Sequence, residues 1–254
     1  MILYDEKHLA NLNGQGKVKT KESKKLTGYA TVDKPWLKWY QHGEDFQNLD
    51  FNKTNCYDYF FDITKEYDWP LIEYYGKMFT REEIKQQVDD YIKKFTSMGI
   101  KEGDTVSFVL LNVPETMFFL LALSKMGATA NLIKFDESPD RIKFMTNLSN
   151  SKYLFASEVP FIMENVMKSL ELGSNIEKVI ALPVMNLVPQ EAMSKMLYQQ
   201  VKSNTEDQLD EDKITEEVIK IYQKIMHDRN QLITKMKSYK EFMTFDEWDQ
   251  AYQQ

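Results

Sequence analysis

The sequence predicts an α/β fold over residues 69–183, a mostly parallel sheet with helices on both faces. Three observations carry that expectation. Short apolar runs alternate with amphipathic stretches whose ends bear helix punctuation, the pattern of interleaved strands and helices. The run from Val106 to Leu111 is apolar almost throughout, as expected of a central strand covered on both faces. The connections are short, which requires right-handed crossovers between parallel neighbours.

The unit opens with Leu71, Ile72, Tyr74 and Tyr75, then Gly76 and Lys77, then Met78 and Phe79, a small hairpin about a glycine turn. Thr80 and Glu83 have the spacing of a capping box, worth about 1 kcal/mol at the cap. In the helix that follows, Ile84, Val88, Tyr91, Ile92, Phe95 and Met98 recur at three- and four-residue steps, and Gly99 supplies the left-handed stop. After the Val106 strand, Asn112 is placed to cap the next helix, Pro114 fits its first turn, and Glu115 favours its positive end. Met117 to Leu123 is apolar all round, so this helix should be deeply buried. Gly127 ends it, and Ala128 to Ile133 returns as a strand.

Ser138 and Pro139 start a third helix with Ile142, Met145 and Leu148 on one face, and Tyr153 to Ala156 is the next strand. Ile162, Val166 and Leu170 mark another helix closed by Gly173, and Val179 to Leu182 reads as a last short strand before Pro183. Glu206, Asp207, Asp210, Glu211 and Asp212 mark an exposed loop. Ile214, Val218, Ile221, Ile225, Leu232 and Met236 then keep a helical period, with a break expected at Asp228 and Arg229. Thr244 and Glu247 form a second capping box for a helix containing Trp248, with little left to bury it. Residues 1–68, with Trp36, Trp39, Tyr40, Phe60, Phe61 and Trp69 at or near their clusters, form an aromatic-rich extension without a sustained period. Residues 184–254 read as a mainly helical segment.

Composition excludes several function classes. The chain of 254 residues is 43% hydrophobic and 28% charged, which suits a packed soluble particle rather than a disordered polymer. With 32 Lys and Arg against 39 Asp and Glu, the formal charge of -7 repels polyanions, so nucleic acid is not expected as a partner. Lys17, Lys19, Lys21, Lys24 and Lys25 run against this trend, but no aromatic interleaves them and they read as a solvated tail. Cys56 is the only cysteine, so no disulfide forms within the chain and a zinc site on paired thiolates is excluded. A reducing, cytoplasmic setting fits. There is no signal-peptide pattern, and the most apolar stretch is interrupted by Asn112, Pro114, Glu115 and Lys125, so no transmembrane segment is expected.

Isolated candidates for chemistry are weak. Asp89 and Asp90 are adjacent and point to different helix faces, so they read as solvated charge. His8, His42 and His227 are scattered without metal or triad spacing and read as surface residues. Gly14, Gly16 and Lys17 lack the earlier glycine of a phosphate loop, since Asn11 stands there. Cys56 has no histidine near it in sequence and reads as a packed thiol.

Taken in order, Gly99-Ile-Lys-Glu-Gly-Asp104, Val106 to Leu111, Asn112-Val-Pro-Glu115 and Ala122-Leu-Ser-Lys-Met-Gly-Ala128 resemble the opening of the adenylate-forming superfamily. That group includes acyl-CoA and aryl-CoA synthetases, peptide-synthetase adenylation domains and luciferases. The hairpin with Phe79-Thr80-Arg-Glu-Glu83, then Ser138-Pro-Asp-Arg-Ile142 and Ser151-Lys-Tyr-Leu-Phe155, fall where the family has its next elements. Lys34-Pro-Trp-Leu-Lys-Trp-Tyr40 and Thr244-Phe-Asp-Glu-Trp248 look like flanks found in its bacterial acyl-CoA synthetases. The resemblance implies an incomplete Rossmann-like subdomain of the ligase N-terminal domain. It also implies a parent ATP-dependent acid:thiol ligase of fatty acid metabolism, acting through an acyl-adenylate with ATP, Mg and CoA. The family's glycine- and threonine-rich phosphate loop, aromatic-x-x-Thr-Glu motif, hinge aspartate and catalytic lysine have no counterpart in this sequence. The expectation is therefore a truncated domain, inactive alone and without cofactor, with no catalytic, cofactor-binding or metal residue. Its partner would be the remainder of the ligase, with a carboxylic acid as the parent's substrate, and surfaces bared by truncation could dimerise. The rival reading is a stand-alone, non-enzymatic α/β binding or interaction module.

Overall fold

Asn55 caps helix α1 (Cys56–Ile63) by accepting from the Asp58 amide, and the i, i+4 pair Tyr57 and Phe61 turns its apolar side inward. The computed structural model describes residues 29, 54–204 and 211–252, and every element below lies in the unit Thr54–Gln254. The expectations at His8, His42, Gly14 to Lys25, Trp36 to Tyr40 and Glu206 to Asp210 lie outside the described residues. Strands β1 (Ile72–Tyr74) and β2 (Lys77–Phe79) form the expected hairpin. Its two central residues, Tyr75 and Gly76, have φ 47° and 81°, the mirror-image turn that matches strand twist. Both bonds of the Thr80–Glu83 capping box are made at the start of helix α2 (Arg81–Ser97), which buries Ile84, Val88, Tyr91 and Phe95.

The main sheet contains β3 (Thr105–Val109), β4 (Thr129–Leu132), β5 (Tyr153–Ser157), β6 (Lys178–Leu182) and β7 (Phe242–Thr244). Its order is β4-β3-β5-β6-β7, with every neighbouring pair parallel. Helices α3 (Pro114–Met126), α4 (Pro139–Leu148) and α5 (Pro160–Glu171) make the crossovers. Period-two alternation divides the strand side chains between two cores. Val106, Phe108, Phe155, Ile180 and Leu182 join the side chains of α2 and α3, while Val109, Leu154, Ala156, Val179 and Ala181 join those of α4 and α5. Helices therefore cover both faces of a parallel sheet, as the sequence predicts. Helix α3 buries Phe118, Phe119, Leu121, Ala122 and Leu123, in line with its all-round apolar sequence.

The C-terminal half departs most from expectation. The chain continues through helices α6 (Gln190–Asn204) and α7 (Glu211–Met236), and then β7 adds a fifth strand to the sheet, so β6 is not the last. Strand β3 is interior but one place from the edge, and β5 is central. Helix α7 already includes Glu211 and Asp212, and it runs unbroken through Asp228 and Arg229 because Arg229 meets a buried acid there. Leu148 is 74% exposed, since the inward positions of α4 fall on Ile142 and Thr146. The N-cap of α3 is Val113 without a side-chain bond, and Asn112 lies exposed beside it. The Cys56 thiol is exposed rather than packed, because the inward face of α1 is taken by Tyr57 and Phe61.

The largest correction concerns the last helix, α8 (Phe245–Ala251), which closes a core instead of lacking one. Trp248 is fully buried, with its ring centroid 5.2 Å from those of Phe155 and Phe245 and 6.1 Å from those of Tyr91 and Phe95. Its indole N–H donates to Met98 Sδ at 3.0 Å. Lys94 lies over both the Tyr91 and Trp248 rings and pairs with Asp249. The Thr244–Glu247 capping box sets the start of α8. The ring has a place to go because parallel pairing of β7 with β6 delivers α8 onto the α2/α3 face. Trp248→Ala should destabilise the protein by about 3–5 kcal/mol in urea unfolding. A loss under about 1 kcal/mol would mean that α8 is not part of the core.

Candidate active-site rim

In a doubly wound sheet, ligand crevices lie beyond the carboxyl ends of the strands, where the strand order reverses. Here that place is between β3 and β5, since the chain steps outward from β3 to β4 and then returns to the other side of β3. Two tight bends build it. The Val113 amide donates to the Leu111 carbonyl at 2.9 Å after β3, and the Val159 amide donates to the Ser157 carbonyl at 2.7 Å after β5. The Ser157 hydroxyl oxygen accepts from the Leu111 amide at 2.9 Å and locks one bend to the other. Pro114 and Pro160 then start α3 and α5, where a missing amide costs nothing.

Each bend carries a buried carboxyl. Glu115, in the first turn of α3, is 1% exposed, and its Oε1 accepts from Asn186 Nδ2 at 3.0 Å. Burial pushes its carboxyl above the ordinary range, against the smaller opposing pull of Asn186 and of its own backbone amide. The Glu158 side chain is 3% exposed and is held by two nitrogens of the Arg229 guanidinium on α7. Burial pushes this carboxyl up as well, while the guanidinium pulls it down and Asp246 adds a further push upward. Glu158 also donates its amide to the Leu182 carbonyl at 2.8 Å, which ties the end of β5 to the end of β6.

At this rim the Glu115 and Glu158 carboxyls are buried, Arg229 is held by Glu158, and Lys134, two residues past β4, pairs with Asp136. Among the described residues no cluster of three or more His, Cys, Asp or Glu is placed to hold a metal ion. Elsewhere Asp89 pairs with Lys85 and accepts from the Tyr57 hydroxyl, Asp90 pairs with Lys93, and His227 is exposed beside Gln231. Each makes its own local contacts, and none of them bonds to Glu115 or Glu158 among the described residues. Sequence reasoning named Glu115 only as a helix-end charge and missed Glu158 and Asn186 altogether. The signal for Glu158 was the charged Arg229 standing in the apolar stripe of α7, and Asn186 carries no local signal.

The family described as AMP-binding enzyme matches residues 62–235, more than half of the chain. An acetyl-coenzyme A synthetase of Bdellovibrio bacteriovorus is 23% identical over 41% of this chain and 17% of its own length. Acetyl-coenzyme A synthetase 1 of Saccharomyces cerevisiae is 30% identical over 33% of this chain and 12% of its own. The chain thus spans less than a fifth of the length of these relatives. A benzoate CoA ligase from Burkholderia xenovorans LB400 superposes with a TM-score of 0.45 at 16% identity, over 50% of this chain and 26% of that one. Among the described residues no helix is long and apolar enough to cross a membrane.

Arg229→Ala leaves the Glu158 carboxyl buried without its cation, which should cost about 3 kcal/mol at neutral pH. A carboxyl raised in the folded state binds its proton more readily there than in the unfolded chain, so stability is greatest below the ordinary carboxylate range and falls as pH rises. The deficit of the variant, read from urea midpoints, should therefore shrink as the pH is lowered towards about 4. A deficit independent of pH would contradict the assignment.

Proposed function

Since the chain belongs to the AMP-binding enzyme family, we propose that it serves as one part of an ATP-dependent acid:CoA ligase acting through an acyl-adenylate. The observation that carries this reading is the family match over residues 62–235, which falls on the doubly wound sheet and its rim. The coverage of less than a fifth of the acetyl-coenzyme A synthetases supports a larger working protein. In this reading residues 69–183 are the body of a subdomain of the ligase and residues 184–254 complete it. The contribution is architectural, a stiff sheet whose rim forms part of one wall of the acyl site.

Adenylation needs amides and cations around a triphosphate, and a cation on the acyl-phosphate oxygens as charge builds in the transition state. The Arg229 guanidinium at the rim is taken up by the buried Glu158 carboxylate, which supports a reading in which the residues of this chain position the site and carry none of its chemistry. ATP, Mg and CoA act on the parent protein, the remainder of the ligase is the principal partner, and a carboxylic acid is its substrate. A cytoplasmic location and a place in fatty acid metabolism go with this reading.

The test uses the purified 254-residue chain with ATP, magnesium and a panel of aliphatic and aromatic acids. Pyrophosphate release should stay at the buffer rate, and calorimetry should give no ATP binding tighter than about 10 μM, near -7 kcal/mol. Steady acid-dependent pyrophosphate release by this chain alone would overturn the proposal.

A further inference from the structure

The loop from Pro183 to Pro189, between β6 and α6, meets the N-terminal end of α3 through Asn186, and two side-chain bonds hold it. The Tyr74 hydroxyl on β1 donates to the Val184 carbonyl at 3.1 Å, and Asn186 Nδ2 donates to Glu115 Oε1 at 3.0 Å. Within the loop the Asn186 amide donates to the Pro183 carbonyl, and the Val188 amide to the Met185 carbonyl, both at 3.1 Å. The loop presses Val188 into a buried position, and Val184 and Leu187 lean on the α2/α3 core. The Asn186 amide from the loop bonds Glu115, and the Tyr74 hydroxyl from β1 and the Tyr91 hydroxyl from α2 lie close enough to feel its charge.

A neutral acid at Glu115 keeps its bond to Asn186 and stays dry. A carboxylate there has a full charge and only one side-chain donor, in a site closed to solvent. Leaving such a charge unhydrated is costly, and water can reach it only if something covering it moves. The loop is the covering element whose hold on Glu115 is a single amide.

We propose that Glu115, Asn186, Tyr74 and Val184 form a latch on the 183–189 loop, with Tyr74–Val184 as the standing tether and Glu115–Asn186 as the releasable one. Ionisation of Glu115 admits water beneath the loop and frees Asn186, while α3 and the sheet stay folded. The sign follows from burial, which raises the carboxyl. The closed loop is fully stable below the ordinary carboxylate range and loses stability as pH rises through the raised value. The latch is a property of this chain and stands independently of the ligase reading.

Hydrogen exchange of the whole chain, followed by mass spectrometry and corrected for the intrinsic pH dependence of exchange, tests it. In the wild type the Asn186 and Val188 amides should lose protection several-fold as pH rises from about 5 to about 8. Strand β3 should show no such trend. Glu115→Gln keeps an acceptor for Asn186 and removes the charge, so its loop protection should be flat with pH. Tyr74→Phe should lower loop protection by a similar factor at every pH and leave the slope unchanged. A wild-type loop with flat protection, or a Glu115→Gln loop with the wild-type slope, would overturn the latch.

Discussion

The unit described here is held shut by one ring. Trp248 sits where the side chains of α2, α3 and β5 converge, and it reaches that place from the far end of the chain only because β7 pairs with β6. An aromatic side chain buries roughly 150–250 Å². At about 25 cal/mol per Å² that is about 4–6 kcal/mol, an upper figure because unfolded chains already bury some of this area. A contribution of that size is a large part of what usually holds a domain together. The ring joins the crossover helix α3, through Phe119, to a segment more than 110 residues downstream of it.

The same geometry fixes the rim. Once β5 is central, the bends after β3 and β5 lie side by side, and Ser157 joins them through the Leu111 amide. Each bend carries a buried carboxyl, and each carboxyl is met by a different partner, Glu115 by Asn186 of the 183–189 loop and Glu158 by Arg229 of α7. Glu158 has a guanidinium, which stabilises the charged form and anchors α7 to the sheet. Glu115 has only a neutral amide, and burial pushes its carboxyl above the ordinary range. An ion-paired carboxyl and one met by a neutral amide thus follow the two neighbouring bends.

Much of this was legible in the sequence, for a physical reason. The hairpin, the Thr80–Glu83 box, the crossover helices and the strands β3 to β6 are specified by neighbours within a few residues, through caps, glycine stops and apolar periods. The Thr244–Glu247 box was legible too, yet its consequence was not, because the surface that Trp248 fills is assembled from residues 91 to 155. Arg229 looked like a helix break for the same reason, since its partner Glu158 is 71 residues away. Asn112 illustrates the converse, a good local cap that the fold leaves exposed while the chain enters α3 through Val113. The rim carboxyls could not be recognised from spacing at all, because their properties come from burial.

The most direct measurement follows Trp248 as the only tryptophan, with Trp36, Trp39 and Trp69 replaced by Phe. Unfolding in urea would be recorded by Trp248 emission and by far-ultraviolet circular dichroism on the same samples. If the last helix closes a single cooperative core, the two curves coincide in midpoint and slope. If Trp248 emission shifts to that of a solvated indole at lower urea than the loss of helix signal, the ring is an appended contact and the account fails.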